Sequence, residues 1–198
     1  MKIGIDIDGV LTDIEKWQLD YGSKFFYEKY KKSITNYKGL DTINIFEVNK
    51  KQNDEFWSYY FKDYCINISP REFAKEITKR LIEDGNEVYI ITARGSYESH
   101  SLKVMSYEEN KKIAKEWLDK NGIAYNKIIF TPDDKLDICI SNKIDLMIED
   151  NPKNIKQISS KIPVICFHAN YNEDVYGKNI IRCYTWWDIY KTIYEIRN

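Results

Sequence analysis

The chain opens with apolar and polar positions in alternation: Ile3, Ile5 and Ile7 against Gly4, Asp6 and Asp8, closed by Gly9. An apolar run ending in glycine predicts a buried strand followed by a turn. Side chains two apart on a strand share a side, so the pattern brings Asp6 and Asp8 together where the strand stops. The period then changes. Trp17, Tyr21 and Phe25 recur every four residues and predict one face of a helix. Phe56, Trp57, Tyr60 and Phe61 predict a second helical stripe, and the turn formers of 36–44 read as a link between the two. The stretch 14–69 therefore reads as a small helical insertion.

From residue 69 a regular alternation of helix and strand patterns begins. Ser69-Pro70-Arg71-Glu72 has the form of a capping box with proline at the first helical position. It predicts a helix with Phe73, Ile77 and Leu81 on its apolar side, stopped by Gly85. Strand patterns follow at 87–92 (EVYIIT), 127–130 (KIIF), 144–150 (IDLMIED), 162–167 (IPVICF) and, more weakly, 180–184. Helix patterns lie between them: one opened by the Ser106 to Glu109 capping pattern and ended by Gly122, one over 134–142, one opened by Asn151-Pro152, and a closing one over 186–196. Tyr97 to Met105 reads as loop, with His100 exposed rather than catalytic. The fold class this predicts is α/β: a three-layer sandwich with a mostly parallel sheet and helices on both faces. The core comprises 1–13 and 70–198, with 14–69 inserted after the first strand.

At 198 residues the chain has room for one core domain and a modest insertion. A formal net charge of −1 argues against binding polymeric nucleic acid or an anionic membrane by bulk attraction. No apolar stretch approaches the roughly 18 residues of a membrane span, and the acid-bearing first strand is unlike a signal peptide. Cys65, Cys139, Cys166 and Cys183 form no CxxC pair, which suits a reducing compartment, so the expected location is cytoplasmic. Trp186 and Trp187 read as an exposed pair that either supports a homodimer or docks the last helix.

Ligands of parallel sheets gather at the carboxyl ends of the strands. The polar residues of this chain fall there: Asp6 and Asp8, Thr92 with Arg94, Thr131, and Glu149 with Asp150. Four carboxylates in one crevice require a cation, and oxygen ligands suit Mg2+. A threonine hydroxyl, a lysine and helix amino termini suit a phosphate dianion. Metal, phosphate and a spare carboxylate together point to phosphoryl transfer. In that chemistry Asp6 is the nucleophile and Asp8 the general acid and base, the latter expected to have a raised pKa. A lone strand-end threonine is most often structural and a lone lysine most often solvated; the joint pattern carries the reading. Of two lysines, Lys143 precedes its strand and lies at the wrong end of the sheet, whereas Lys135 opens the helix after Thr131 and is preferred. Arg94 has two readings, a bidentate clamp on phosphate or an ion pair with a surface acid. Most insertion aromatics are expected to pack the insertion's own core, with Phe25, or another ring of the Trp17 to Tyr27 helix, facing the site to stack on a base.

The series DIDGVLTD, ITAR, a lysine, and IEDNP resembles the four motifs of the haloacid dehalogenase superfamily of aspartate-nucleophile phosphatases. The resemblance covers about two-thirds of the chain. It implies a nucleophile at Asp6, an acid/base at Asp8, phosphate binding by Thr92, Ala93 and Lys135, and Mg2+ held by Asp6, the Asp8 carbonyl and the Glu149/Asp150 pair. It also implies that the insertion is a cap. The IEDNP motif and the small helical insertion are similar to the 5'-nucleotidases that act on deoxyribonucleoside monophosphates, which typically carry Asp-Asp where this chain has Glu149-Asp150. The implied activity is Mg2+-dependent hydrolysis of a small phosphomonoester through an aspartyl-phosphate. A sugar phosphate or other small metabolite is the alternative substrate. A phospho-receiver module fits poorly, because the middle strands end in Thr92 and Thr131 rather than in aspartate.

Overall fold

The computed structural model describes residues 1–94, 104–131 and 135–197. Its sheet has six parallel strands: β1 (Lys2–Ile5), β2 (Glu87–Thr92), β3 (Lys127–Phe130), β4 (Leu146–Glu149), β5 (Val164–Phe167) and β6 (Ile180–Cys183), in the order β3-β2-β1-β4-β5-β6. The helices are α1 (Ile14–Tyr30), α2 (Thr42–Phe46), α3 (Lys50–Asn67), α4 (Ala74–Glu83), α5 (Tyr107–Lys120), α6 (Lys135–Ser141), α7 (Pro152–Ile158) and α8 (Trp186–Arg197). The central strands are apolar on both sides, as a sheet covered twice requires. Ile5, Ile90 and Ile148 pack with Ile77 of α4, Trp117 of α5 and Ile189 of α8. Ile91, Met147 and Cys166 face the other way, against Cys139 of α6 and Ile155 of α7.

α1, α2 and α3 lie in the chain between β1 and β2 and build a separate aromatic core around Trp17, Phe26, Phe46, Phe56 and Tyr64. Phe56 is fully buried, its ring 5.3 Å from Phe26 and 5.7 Å from Trp17. Truncating a ring so placed typically costs about 3–5 kcal/mol, so this core holds the insertion's helices together. The chain enters and leaves the insertion side by side. Thr12 and Pro70 form an antiparallel bridge, and Arg71 donates through its side chain to the Thr12 carbonyl (3.1 Å), the Gly9 carbonyl (3.3 Å) and Asp13 (3.0 Å).

Several expectations are corrected. β1 ends at Ile5, not at Asp8, and Ile7–Leu11 form a wide turn in which Gly9 has φ +86°. The capping box expected at Ser69 does not form, because Pro70 is held in the bridge and the Arg71 N–H donates to the Leu11 carbonyl at 2.7 Å. α4 starts instead at Ala74, behind Phe73 in a left-handed conformation (φ +65°). Phe73 consequently points outward and meets Trp187 rather than the core. The expected link at 36–44 contains the start of α2, which Asp41 caps through the Asn44 N–H. Trp186 is 1% exposed and packs on Phe167, so it docks α8, and only Trp187 of that pair reaches the surface. The loop expected at 97–105 falls largely, and His100 wholly, outside the described residues. Among the described residues the cysteines form no disulfide, and no helix is long and apolar enough to cross a membrane.

Candidate active site

The strand order reverses beside β1: the chain runs outward through β2 and β3, then resumes at β4 on the other side. Such a switch point leaves a crevice at the carboxyl ends of the two central strands. Asp6 follows β1 and Glu149 ends β4. Ile5 is in register with Ile148, and the Asp6 N–H donates to the Ile148 carbonyl at 3.1 Å. Topology alone therefore sets Asp6 beside Glu149 and Asp150.

Lys135, the first residue of α6, is 3% exposed; its Nζ lies 2.9 Å from Asp6 Oδ2 and 2.7 Å from Glu149 Oε2. Glu149 is saturated by protein donors. Its Oε1 accepts from the Asp150 and Asn151 N–H groups (3.1 and 3.0 Å), and its Oε2 accepts from Lys135 and from Asn154 Nδ2 (3.3 Å). Asp150 differs: Tyr171 Oη donates to its Oδ2, while its Oδ1 is buried without a partner among the described residues. The Oδ1 of Asp6 is likewise buried and has no partner among the described residues. Carboxylate oxygens of Asp6, Glu149 and Asp150 all lie within 4.8 Å of one another.

Among the described residues, one ammonium thus faces three buried carboxylates. Burial, reinforced by Glu149 and Asp8, pushes Asp6 up to about 7 against the pull of Lys135. Burial, with Glu149 and Asp6, raises Asp150 well above the usual carboxylate range. Two unpartnered oxygens in an all-oxygen cluster short of positive charge fit a hard divalent cation.

The turn that closes the cluster depends on Gly9. A Cβ there would stand 1.9 Å from Asp150 Oδ2, and the φ of +86° is one L side chains rarely adopt. Gly9→Ala is expected to destabilise the fold by about 2–4 kcal/mol, combining left-handed strain with overlap. That corresponds to a drop in Tm of roughly 5–15 °C in a chain of this size, read by a thermal melt.

Asp8 occupies the same crevice by a different route from the one expected. It sits on the wide turn (φ −77°, ψ 121°), not on the strand. Arg94 is 4% exposed; its Nε donates to Asp8 Oδ2 at 3.2 Å and its Nη2 to Asp8 Oδ1. The Tyr64 hydroxyl of α3 donates to Asp8 Oδ1. Burial alone would raise Asp8, but Arg94 and then Tyr64 hold it below the ordinary carboxylate range. This corrects the expected raised pKa: the neighbour that decides the sign is a guanidinium, not a second carboxylate. Arg94 does pair with an acid, but in the crevice rather than at the surface.

Thr92, at the end of β2, is fully buried, and its Oγ1 accepts from the Arg94 N–H at 3.0 Å, which leaves its hydroxyl proton to donate elsewhere. Ala93 follows, half-buried. The Thr131 N–H donates to the Thr92 carbonyl at 2.9 Å, so Thr131 ties β3 to β2 at this edge. Lys143 is remote from these contacts, with φ +57° in the turn before β4. Phe25 packs among Phe26, Phe56 and Tyr60 in the insertion's core. Among the described residues, the insertion ring that reaches an acid of the crevice is Tyr64. Neither Tyr64 nor Tyr171 stands out in the sequence, since the chain has 16 tyrosines and neither lies in a motif.

The chain matches a known family along its whole length. The family model described as 5' nucleotidase, deoxy (pyrimidine), cytosolic type C protein matches residues 1–198. A nucleotidase of Clostridium acetobutylicum is 27% identical over 193 residues, covering 96% of this chain and 92% of its own. Among solved structures, a haloacid dehalogenase-like family hydrolase from Xanthomonas campestris superposes with a TM-score of 0.64 at 9% identity, covering 99% of this chain and 95% of that one. D,D-heptose 1,7-bisphosphate phosphatase from B. bronchiseptica, solved with magnesium and phosphate, superposes at 0.55 with 10% identity over 99% of both chains. These two likenesses speak for the fold. The chain shares the fold of the haloacid dehalogenase-like hydrolases; it is a phosphatase and belongs to the cytosolic type C deoxy (pyrimidine) 5' nucleotidase family.

Proposed function

We propose that this protein is a Mg2+-dependent 5'-nucleotidase that hydrolyses nucleoside monophosphates through an aspartyl-phosphate on Asp6. The observation that carries the reading is the unpartnered Oδ1 of Asp6, next to Lys135 and the acidic pair. One carboxylate oxygen of Asp6 attacks phosphorus as the bond to the leaving oxygen breaks, and Asp8 gives the leaving oxygen its proton. Asp8 then takes a proton from the water that attacks the phosphoryl group, which releases inorganic phosphate and restores Asp6. An arriving phosphate dianion favours the protonated form of Asp8, because like charge raises a carboxyl pKa. The Thr92 hydroxyl, the Ala93 N–H and the Lys135 ammonium are the phosphate donors. Asp6, the Asp8 carbonyl and Asp150 would hold Mg2+, with Glu149 acting through Lys135 and the backbone. Bound there, the ion supplies positive charge for the phosphoryl oxygens and the facing carboxylates.

The insertion, 14–69, acts as a cap on the core formed by 1–13 and 70–198. The paired crossing at Thr12 and Pro70 and the Arg71 clamp support that division. The substrate assignment is supported by the family match and the nucleotidase relative. It is tested by phosphate release with Mg2+ over deoxyribonucleoside, ribonucleoside and sugar phosphates. The highest kcat/KM is expected on a nucleoside monophosphate. Preference for a sugar phosphate would overturn the nucleotidase assignment.

A further inference from the structure

Asp8 is the group through which the insertion touches the chemistry, and the contact is built from buried parts. Tyr64 belongs to α3 and is 2% exposed. Its ring lies 4.7 Å from Trp17 and 5.9 Å from Trp57 in the insertion's core, and its hydroxyl reaches Asp8 Oδ1 and lies 3.3 Å from Thr12 Oγ1. From the core side, the Arg94 guanidinium lies 5.1 Å from the Tyr64 ring and 5.4 Å from the Trp117 ring while its fork meets both oxygens of Asp8. The Arg94 N–H is fixed on Thr92 Oγ1. A planar guanidinium between two rings has few rotamers to explore, so Asp8 is gripped at both oxygens by groups that cannot readily turn away.

We infer that Tyr64 and Arg94 are positioning residues for Asp8: they fix the carboxyl orientation from which it protonates the leaving oxygen, and Tyr64 makes that orientation conditional on the insertion being seated. The inference rests on the function proposed above. It assigns Arg94 a role in holding Asp8, because its Nε and Nη2 are committed to that carboxylate, while its Nη1 is buried without a partner among the described residues. Tyr64 keeps its hydroxyl for geometry rather than for packing, since phenylalanine would fill the same space.

General-acid assistance matters most when the leaving oxygen is a poor leaving group, so misplacing the acid penalises alkyl phosphates more than aryl phosphates. The test compares Tyr64→Phe, Arg94→Lys and Arg94→Met with the parent on a nucleoside monophosphate and on p-nitrophenyl phosphate, with Mg2+ saturating and Tm recorded for each. Tyr64→Phe is expected to lower kcat on the nucleotide by about 10-fold with KM changed less than about 2-fold. The loss on the aryl phosphate should be several-fold smaller. Arg94→Met is expected to show the same split more strongly, with partial rescue in Arg94→Lys. Equal losses on both substrates, or an effect confined to KM or Tm, would overturn the positioning role. Should the parent fail to hydrolyse either ester, or should Asp6→Asn be as active as the parent, the proposed function itself would fall, which is a different outcome from a uniform loss in the Tyr64 and Arg94 variants.

Discussion

Asp6→Asn is expected to reduce kcat by about 10⁴-fold or more while leaving the protein folded. Removing a nucleophile costs nearly the whole chemical step. An amide keeps the shape of the side chain but cannot attack phosphorus at a useful rate. The fold should tolerate the change, because Asp6 is one of three buried carboxylates facing one ammonium and is driven up to about 7 by that surplus of negative charge. Its amide relieves repulsion, and Lys135 keeps Glu149 at 2.7 Å. Phosphate release and a thermal melt on the same preparation check both halves. A variant with more than about a tenth of the parent rate would remove Asp6 from the chemistry.

The second large effect is at Asp150. Asp150→Asn is expected to lower kcat/KM by about 10³-fold and to abolish the gain in Tm on adding Mg2+. In the parent, saturating Mg2+ at about 100 times its Kd stabilises by about 2.7 kcal/mol, or roughly 5–11 °C here. The stability of the metal-free protein also carries a sign. Asp6 and Asp150 have folded pKa values above their unfolded ones. The stability they contribute is therefore whole below about pH 4 and is lost as pH rises through the Asp6 value of about 7. Asp8, held low by Arg94, acts oppositely and loses its contribution as pH falls through its depressed value. Metal-free Tm should accordingly decline between about pH 5 and pH 8, the decline should be shallower in Asp150→Asn, and Mg2+ should offset it in the parent only. A metal-free Tm that climbs over that range, or an Asp150→Asn variant that still gains Tm with Mg2+, would contradict the assignment of Asp150 as the direct ligand.

Most of the core was legible because its signals are local. Glu87–Thr92 and Lys127–Phe130 are strands over the residues their apolar runs occupy, and Asn151-Pro152 caps α7 as written. The placement of Asp6, Glu149 and Asp150 followed from strand alternation with helices, which forces carboxyl ends to one edge. Three features depended on contacts distant in the chain. Pro70 carried a helix-start pattern, but its pairing with Thr12 outcompeted it. The aim of Arg94 was open because its partner, Asp8, lies 86 residues away. Tyr64 and Tyr171 gave no local signal, because a hydroxyl 56 or 21 residues from the acid it serves has no periodicity to betray it. The division of labour between Glu149 and Asp150 is set by hydrogen bonds that leave no mark on the sequence. The longer side chain turned out to be saturated by backbone N–H groups and Lys135, and the shorter one kept an oxygen without a partner.

Transfer of the phosphoryl group to Asp6 during turnover underlies every other role assigned to the site. It is tested most directly by quenching a single turnover in acid, reducing the quenched protein with borohydride, and mapping the peptide that contains residues 1–13 by mass spectrometry. An acyl phosphate on Asp6 is reduced to homoserine at that position, and this is the expected result, absent when substrate is omitted. Turnover that proceeds at the full rate while Asp6 is recovered only as aspartate, or with homoserine at Asp8 instead, would contradict it.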